Sequence, residues 1–181
     1  MKLKLFMLVL VLQSAWVLGT VAVEEHSLAS GKLILLETHR VDPRDLLRGD
    51  YLILNYQVGE IPHGLFSPPM AGELAPGARV YVILAPATNG FFGVVRASTN
   101  VITPSAGEVL MQGKSDAQWW TGTNAVHVEY GIEKYFIAEG TGNPVGKLTV
   151  QAAVPASGHP RIKDVLLDGR PYAKAMREKS P

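Results

Sequence analysis

Residues 79–97 read RVYVILAPATNGFFGVVRA, and this stretch decides the fold class. Two runs of branched and aromatic residues, Arg79 to Leu84 and Phe91 to Ala97, flank the dipeptide Asn89-Gly90. Asn-Gly readily adopts the positive backbone angles of a tight turn, so the arrangement predicts an antiparallel hairpin. The other predicted strands are Lys32 to His39, Tyr51 to Val58, Glu108 to Gln112, Val126 to Tyr130, Ile132 to Ile137, Lys147 to Val154 and Arg161 to Leu167. This pattern predicts a mainly β domain of about eight strands, an antiparallel sandwich or a partly closed barrel.

The composition excludes several classes of protein. The chain has 17 basic and 16 acidic residues in 181, a formal net charge of +1. That balance gives no bulk positive field, so we expect no nucleic-acid partner. Cysteine is absent, which excludes disulfides, cysteine-based zinc sites and thiol catalysis. The 18 glycines and 12 prolines suit short strands separated by many turns.

The N-terminal segment predicts a membrane anchor. Lys2 and Lys4 precede Leu5 to Val23, which carries no formal charge. As a helix this segment would be about 28 Å long, close to the roughly 30 Å hydrocarbon core of a bilayer. The alternative is a cleaved signal peptide, although the small residues near Val23 suit its cleavage site poorly. No Lys or Arg follows the span until Lys32, so we expect the rest of the chain to lie outside the cytoplasm.

These signals divide the chain into an anchor at 1–31, a β domain at 32–172 and a tail at 173–181, which we expect to be frayed. Within the domain, the capping residues Asp42 and Pro43 predict a short helix that ends at Arg48. The segment Gly59 to Ala78 is rich in proline and predicts a long loop. Such a loop serves as a lid, a binding loop or a locally disordered segment.

Two blocks of sequence carry a family resemblance. Residues Gly49 to Tyr56 read GDYLILNY and reproduce the motif G-D-Y-x-x-L-x-Y, and Val41 to Arg48 resembles its usual lead-in. A second block, Tyr130 to Gly140, is similar to the other recognisable segment of that family. The chain therefore resembles the bacterial GDYXXLXY-domain proteins from the anchor to about Asp168. The resemblance implies a membrane-anchored protein often encoded beside multi-pass membrane proteins, and it implies no activity.

The motif also has a physical interpretation that needs no family. On a strand, Tyr51 and Tyr56 point to opposite faces, so we expect one of them to pack in the core. A buried tyrosine combines apolar packing with one hydrogen bond, and Gly49 and Asp50 suit a turn. A structural role is therefore expected for the motif rather than a catalytic one.

Polar and aromatic side chains in the second half of the chain supply candidate binding residues. His127 and Glu129 share a strand face, with Glu133 nearby in the sequence. A zinc site normally needs more ligands than these, so we expect no metal and no other cofactor. Glu133 and Glu139 form a candidate acid–base pair.

The adjacent rings of Trp119 and Trp120 would point to opposite faces of a strand. One ring would then contact lipid headgroups or a partner, unless a second layer of the protein covers it. No catalytic residue is assigned. The candidate binding residues are Tyr51, Tyr56, Trp119, Trp120, His127, Glu129, Glu133 and Glu139.

These features favour a membrane-anchored accessory or interaction protein, held in the bacterial inner membrane by one helix. Its partners would be the lipid bilayer and a multi-pass membrane protein. The alternative is a small envelope hydrolase or ligand-binding module in which the loop Gly59 to Ala78 is a lid. That alternative requires His127, Glu133 and Glu139 to converge in a pocket. If the N-terminal segment is cleaved, the domain would instead be periplasmic and free of the membrane.

Overall fold

The computed structural model describes residues 2–39, 51–69, 74–116, 124–137 and 146–179. A long N-terminal helix, α1 (Lys2–Ser30), precedes a set of antiparallel strands, and a short helix, α2 (Tyr172–Lys179), follows them. The strands are β1 (Lys32–Glu37), β2 (Tyr51–Ile53), β3 (Glu60–Pro62), β4 (Arg79–Pro86), β5 (Phe92–Ser98), β6 (Val109–Ser115), β7 (Ala125–Glu129), β8 (Lys134–Phe136), β9 (Leu148–Val154), β10 (Arg161–Leu167) and β11 (Arg170–Pro171). The mainly β, antiparallel architecture predicted from the sequence is confirmed.

The strands form three sheets around one core. The strand orders are β1-β9-β10-β11, β3-β7-β6-β4-β5 and the pair β2-β8. Inward residues of the two larger sheets, such as Leu36 and Val150 in one and Val82 and Met111 in the other, belong to a single apolar cluster. Hydrogen bonding also joins these sheets, because the Gln112 N–H on β6 donates to the carbonyl of Gly158 between β9 and β10 at 2.8 Å.

Strand β4 is buried on both faces. Val82 faces the core, yet Ile83, which points the other way, is also 0% exposed. β5 and β6 both pair antiparallel with β4, so the connection between them must return along β4. Arg96 pairs with Ile83 and shares its face, donates to the Thr103 carbonyl and forms an ion pair with Glu108 at 2.9 Å. The connection at 99–108, here called the crossover, therefore lies over the outer face of β4.

Two tight turns use positive backbone angles. The predicted hairpin between β4 and β5 is confirmed, with Gly90 at φ 83°. The other turn, between β10 and β11, consists of Asp168 and Gly169, at φ 50° and 80°. Asp168 also accepts a hydrogen bond from the Lys147 N–H at 2.8 Å, which ties this turn to the start of β9.

The stretch Tyr51 to Val58 is not the central strand that the sequence predicted. Only Tyr51–Ile53 forms a strand, and it pairs with β8 alone among the described residues. After Leu54 the backbone changes partners: the Asn55 carbonyl accepts from the His39 N–H, and Tyr56 bridges Thr38. The chain then turns into a 3₁₀ helix at Gln57–Gly59. The predicted alternation of side chains between two faces is kept, because Leu52, Leu54 and Tyr56 are all buried.

The segment Gly59 to Ala78 belongs to the body of the domain wherever it is described. Glu60–Pro62 forms β3 and pairs with β7, and a 3₁₀ turn follows at His63–Leu65. Ile61 and Phe66 are buried in the core. The predicted loop is therefore wrong for 59–66, because these residues form β3 and a 3₁₀ turn and the two buried side chains fix them to the sheet. A lid formed by the rest of Gly59 to Ala78 stays a prediction.

The chain end also differs from the frayed tail expected at Ala173 to Pro181. Tyr172–Lys179 forms a helix that contacts β10 and β11. Tyr172, Ala175 and Met176 are buried, and their spacing places them on one side of a helix. This amphipathic spacing was present in the sequence.

Among the residues that the structure describes, helix α1 is exposed along its apolar length. Every residue from Lys4 to His26 is exposed, and the helix has a mean hydropathy of 2.1 over its most apolar window. It is long and apolar enough to cross a membrane, as the sequence predicted. Gly31 alone separates it from β1. The short helix predicted up to Arg48 lies outside the described residues.

Candidate functional site

The two blocks that carry the family resemblance are partners in space. Strand β2 comes from the first block and β8 from the second, with Tyr51 opposite Phe136 and Leu52 opposite Tyr135. Beyond the strands, the Leu54 N–H donates to the Glu133 carbonyl at 2.7 Å. Two segments that are far apart in the chain therefore form one junction, here called the β2–β8 junction.

Two buried tyrosines connect this junction to neighbouring segments through hydrogen bonds. The Tyr56 hydroxyl donates to the Ile132 carbonyl, and the Tyr130 hydroxyl donates to the Val58 carbonyl, each at 2.6 Å. Burial raises the pKa of both phenols, and Glu133 raises the pKa of each further. Both hydroxyls therefore stay protonated at neutral pH and remain donors. Their geometry supports the structural role expected for the second motif tyrosine.

Glu133 stabilises the turn between β7 and β8. Its carboxylate accepts one hydrogen bond from the Tyr130 N–H at 2.5 Å and another from the Gly131 N–H at 2.9 Å. Gly131 has a φ of 81°, which only glycine adopts readily. The carboxylate thus accepts hydrogen bonds from two backbone N–H groups that the turn would otherwise leave without a partner.

His127 and Glu129 lie on β7, next to the junction. His127 is opposite Glu60 on β3, and Glu129 is opposite Lys114 on β6. Desolvation raises the pKa of the Glu129 carboxyl, and the negative charges of Glu133 and Asp116 add to the effect. Within the described part of the chain, no group of three or more His, Asp or Glu side chains is arranged to hold a metal ion.

The outer face of the β2–β8 junction exposes an aromatic and cationic patch. The rings of Tyr51 and Phe136 meet edge to face, with centroids 6.0 Å apart. The Lys134 ammonium lies 5.4 Å from the centroid of the Tyr51 ring. Phe136 is 74% exposed, so most of its ring faces solvent. We call these three residues the outer patch.

A separate cleft of about 250 Å³ opens between β1, the segment at 57–60 and the β4–β5 hairpin. Its walls hold the carboxylates of Glu37 and Glu60 and the rings of Phe91 and Phe92. The Lys147 ammonium, at the rim, pairs with Glu37 and lies 5.0 Å from the centroid of the Phe91 ring. Sequence reasoning missed this cleft, because three separate segments of the chain line it.

The structure brings together some of the predicted site residues. Tyr51, Tyr56 and Glu133 meet at the β2–β8 junction, and His127 and Glu129 lie on the strand before it. Trp119, Trp120 and Glu139 lie outside the described residues. Convergence of Glu139 with His127 and Glu133 therefore stays a prediction.

Comparison with curated proteins and with solved structures gives no match. Comparison with protein families gives one match, to the family described as GDYXXLXY protein, over residues 13–165. The matched span begins within α1 and ends within β10, so it includes both blocks of the β2–β8 junction. The chain belongs to the GDYXXLXY protein family.

Proposed function

We propose that this protein is a membrane-anchored interaction module of the bacterial envelope. Its β domain would lie outside the cytoplasm and dock on an integral membrane protein. The observation that carries the proposal is helix α1, which is apolar, exposed along its length and joined to β1 by one residue. A lipid bilayer is the environment that would cover such a helix on all sides.

The joint between α1 and the domain supports a fixed position close to the bilayer. The Arg161 guanidinium on β10 donates two hydrogen bonds to the Glu24 carboxylate, at 2.5 and 2.8 Å. Paired bonds of this kind fix the relative orientation of both groups. Glu24 directly follows the apolar span, so the domain would lie at the headgroup level, within reach of other proteins in the bilayer.

Charge around the span supports the orientation. Lys2 and Lys4 precede the apolar residues, whereas Glu24 and Glu25 follow them. Basic residues favour the cytoplasmic side of a membrane helix. The β domain would therefore face the opposite compartment.

The outer patch supports an interaction surface. Phe136 is 74% exposed, and aromatic residues are enriched where proteins meet. The patch combines this ring with a second aromatic residue and one positive charge, which suits a protein partner of mixed apolar and acidic character.

Membrane orientation can be measured with single cysteines, since the chain has none of its own. Lys2→Cys and Thr99→Cys variants would be treated in spheroplasts with a maleimide that does not cross membranes. We expect labelling of residue 99 in intact spheroplasts and of residue 2 only after lysis. The opposite pattern would contradict the orientation. Recovery of the chain as a soluble protein that lacks residue 2 would favour a cleaved signal peptide.

Docking can be tested by cross-linking in membranes, followed by purification in detergent and mass spectrometry. Phe136→Ser and Val101→Ser form a matched pair, because the two side chains are 74% and 73% exposed. We expect an integral membrane protein in stoichiometric amount, with recovery lost in Phe136→Ser and kept in Val101→Ser. Equal recovery with both variants would show that the outer patch is not the docking surface.

A further inference from the structure

We propose that the cleft binds an alkylammonium or alkylguanidinium group. The inference goes beyond the proposed function and does not depend on it. At about 250 Å³ the cleft is smaller than the roughly 300–1,000 Å³ of pockets that enclose whole small molecules. It therefore suits a group the size of one long side chain.

Charge favours a cation over an anion in this cleft. Glu37 and Glu60 contribute carboxylates, and the described residues that line the cleft include no lysine or arginine. An anionic ligand would meet the like charge of Glu60, which pairs with no lysine or arginine among the described residues. Glu37 already pairs with Lys147, whereas Glu60 has the His39 imidazole at 3.8 Å, longer than the roughly 3.2 Å of a hydrogen bond. Glu60 is thus the carboxylate available to an incoming donor.

The aromatic walls complete the environment that a cation prefers. Aromatic faces attract ammonium and guanidinium groups within about 6 Å of the ring centroid. The protein itself shows this chemistry at the rim, where the Lys147 ammonium lies between the Glu37 carboxylate and the Phe91 ring. Glu60 and Phe92 line the same cleft, and the Lys32 ammonium lies 5.6 Å from the centroid of the Phe92 ring. Gln57 also lines the cleft.

Binding can be measured on the full-length chain in detergent micelles by calorimetric titration. The probes are butylguanidine and butylamine, and the control is butylurea, which has the shape of butylguanidine without its charge. We expect saturable binding of both cations and none of butylurea. Equal binding of butylurea, or no binding of either cation, would overturn the proposal.

Substitutions in the cleft can show whether the cations bind there. Glu60→Gln preserves shape and removes the charge, so we expect about tenfold weaker binding of butylguanidine, the loss typical of a charge-assisted pair. Lys147→Met releases Glu37 and should strengthen binding several-fold. Glu178→Gln, on α2, is the control and should leave affinity unchanged. A Glu60→Gln variant that keeps both the wild-type unfolding temperature and the wild-type affinity would overturn the assignment.

The same titration can distinguish a cation on a protein partner from a free amine or guanidine. N-acetyl-arginine amide presents the guanidinium as a side chain between two peptide groups. Binding of this probe as tightly as butylguanidine supports a cation supplied by a protein partner. Binding of butylguanidine alone supports a free amine or guanidine as the ligand.

Discussion

Tyr56 and Tyr130 each donate a hydroxyl proton to a backbone carbonyl on a neighbouring segment. A buried carbonyl that loses its donor keeps the cost of leaving water without the compensating bond. The two hydroxyls therefore contribute more to stability than exposed polar groups of the same kind. The motif residue Tyr51 differs, because its half-buried ring lies in the outer patch.

Tyr56→Phe should lower the free energy of unfolding by about 1–3 kcal/mol, because it removes the donor from the Ile132 carbonyl and adds nothing in its place. Tyr51→Phe is the matched control and should change stability by less than about 0.5 kcal/mol. Urea unfolding of the full chain in mild detergent, followed by far-ultraviolet circular dichroism, measures the free energy of unfolding of both variants. Equal losses in the two variants would contradict the role assigned to Tyr56.

Glu129 should make stability depend on pH. Its pKa is raised in the folded state, so the folded chain binds the proton more tightly than the unfolded chain does. Its contribution to stability is therefore greatest below the unfolded pKa and is lost as the pH rises through the folded pKa. Glu129→Gln should be more stable than the wild type at pH 7, and the difference should vanish near about pH 4.

The gain from Glu129→Gln should stay under about 1 kcal/mol, because the side chain is exposed, which limits its desolvation and lets solvent screen its repulsion by Glu133 and Asp116. Thermal unfolding at several pH values measures it, with Glu178→Gln as the control. A variant less stable than the wild type at pH 7 would show that destabilisation of the Glu129 carboxylate is not the dominant effect.

At the scale of elements, β6 and β7 approach closely at Gly113. A Cβ there would lie 2.6 Å from the Glu129 carbonyl oxygen and closer still to the Val128 side chain. Gly113→Ala should destabilise the domain by about 1–3 kcal/mol, the usual cost of overpacking. Gly93→Ala, on β5, has no atom within 4 Å of the added carbon and is the control. Similar unfolding free energies for the two variants would contradict the close approach.

The crossover at 99–108 depends on Arg96. Its guanidinium bonds the Thr103 carbonyl and the Glu108 carboxylate, which in turn accepts from the Ser105 N–H. Arg96→Met should speed amide hydrogen exchange throughout 99–108 and leave β9 unchanged, because only the attachment of the crossover is lost. Arg79→Met, an exposed change at the start of β4, is the control. Unaltered exchange in 99–108 would contradict this attachment.

The elements differ in how well the sequence predicted them. The β4–β5 hairpin, β9 and β10 have strong local patterns and turn signals, and these predictions were confirmed. The sequence overstated β2 because Leu54 and Tyr56 alternate like strand residues while their backbones bond separate segments. It missed β3 because Pro62 directly follows Ile61, whose burial depends on the rest of the sheet.

At the scale of the whole molecule, the pair formed by Glu24 and Arg161 links α1 to the β domain across 137 positions of sequence. An exposed ion pair contributes roughly 0–1 kcal/mol to stability, so its main effect is on orientation. Loss of the pair should therefore change the orientation of the β domain relative to α1 more than the stability of the domain.

Spin labels at Leu18→Cys and Thr99→Cys can report that orientation through their distance distribution in nanodiscs, since no native cysteine competes. Arg161→Glu should broaden the distribution, because it places two carboxylates together at the joint. Adding Glu24→Arg should restore the narrow distribution by reversing the pair. A distribution that stays narrow in Arg161→Glu would show that the other contacts of α1 with β9 and β10 hold the orientation.

The sequence by itself determined the features that depend on neighbouring residues: the apolar helix α1, the Asn-Gly hairpin, the antiparallel β class and the alternation of Leu52, Leu54 and Tyr56 into the core. Only the tertiary structure decided the β2–β8 junction, the crossover over β4 and the cleft that unites Glu37, Glu60 and Phe92. The physical reason is the distance along the chain over which each kind of interaction acts. Periodicity and turn chemistry act over a few residues, whereas strand partners and cavity walls are set by how the whole core closes.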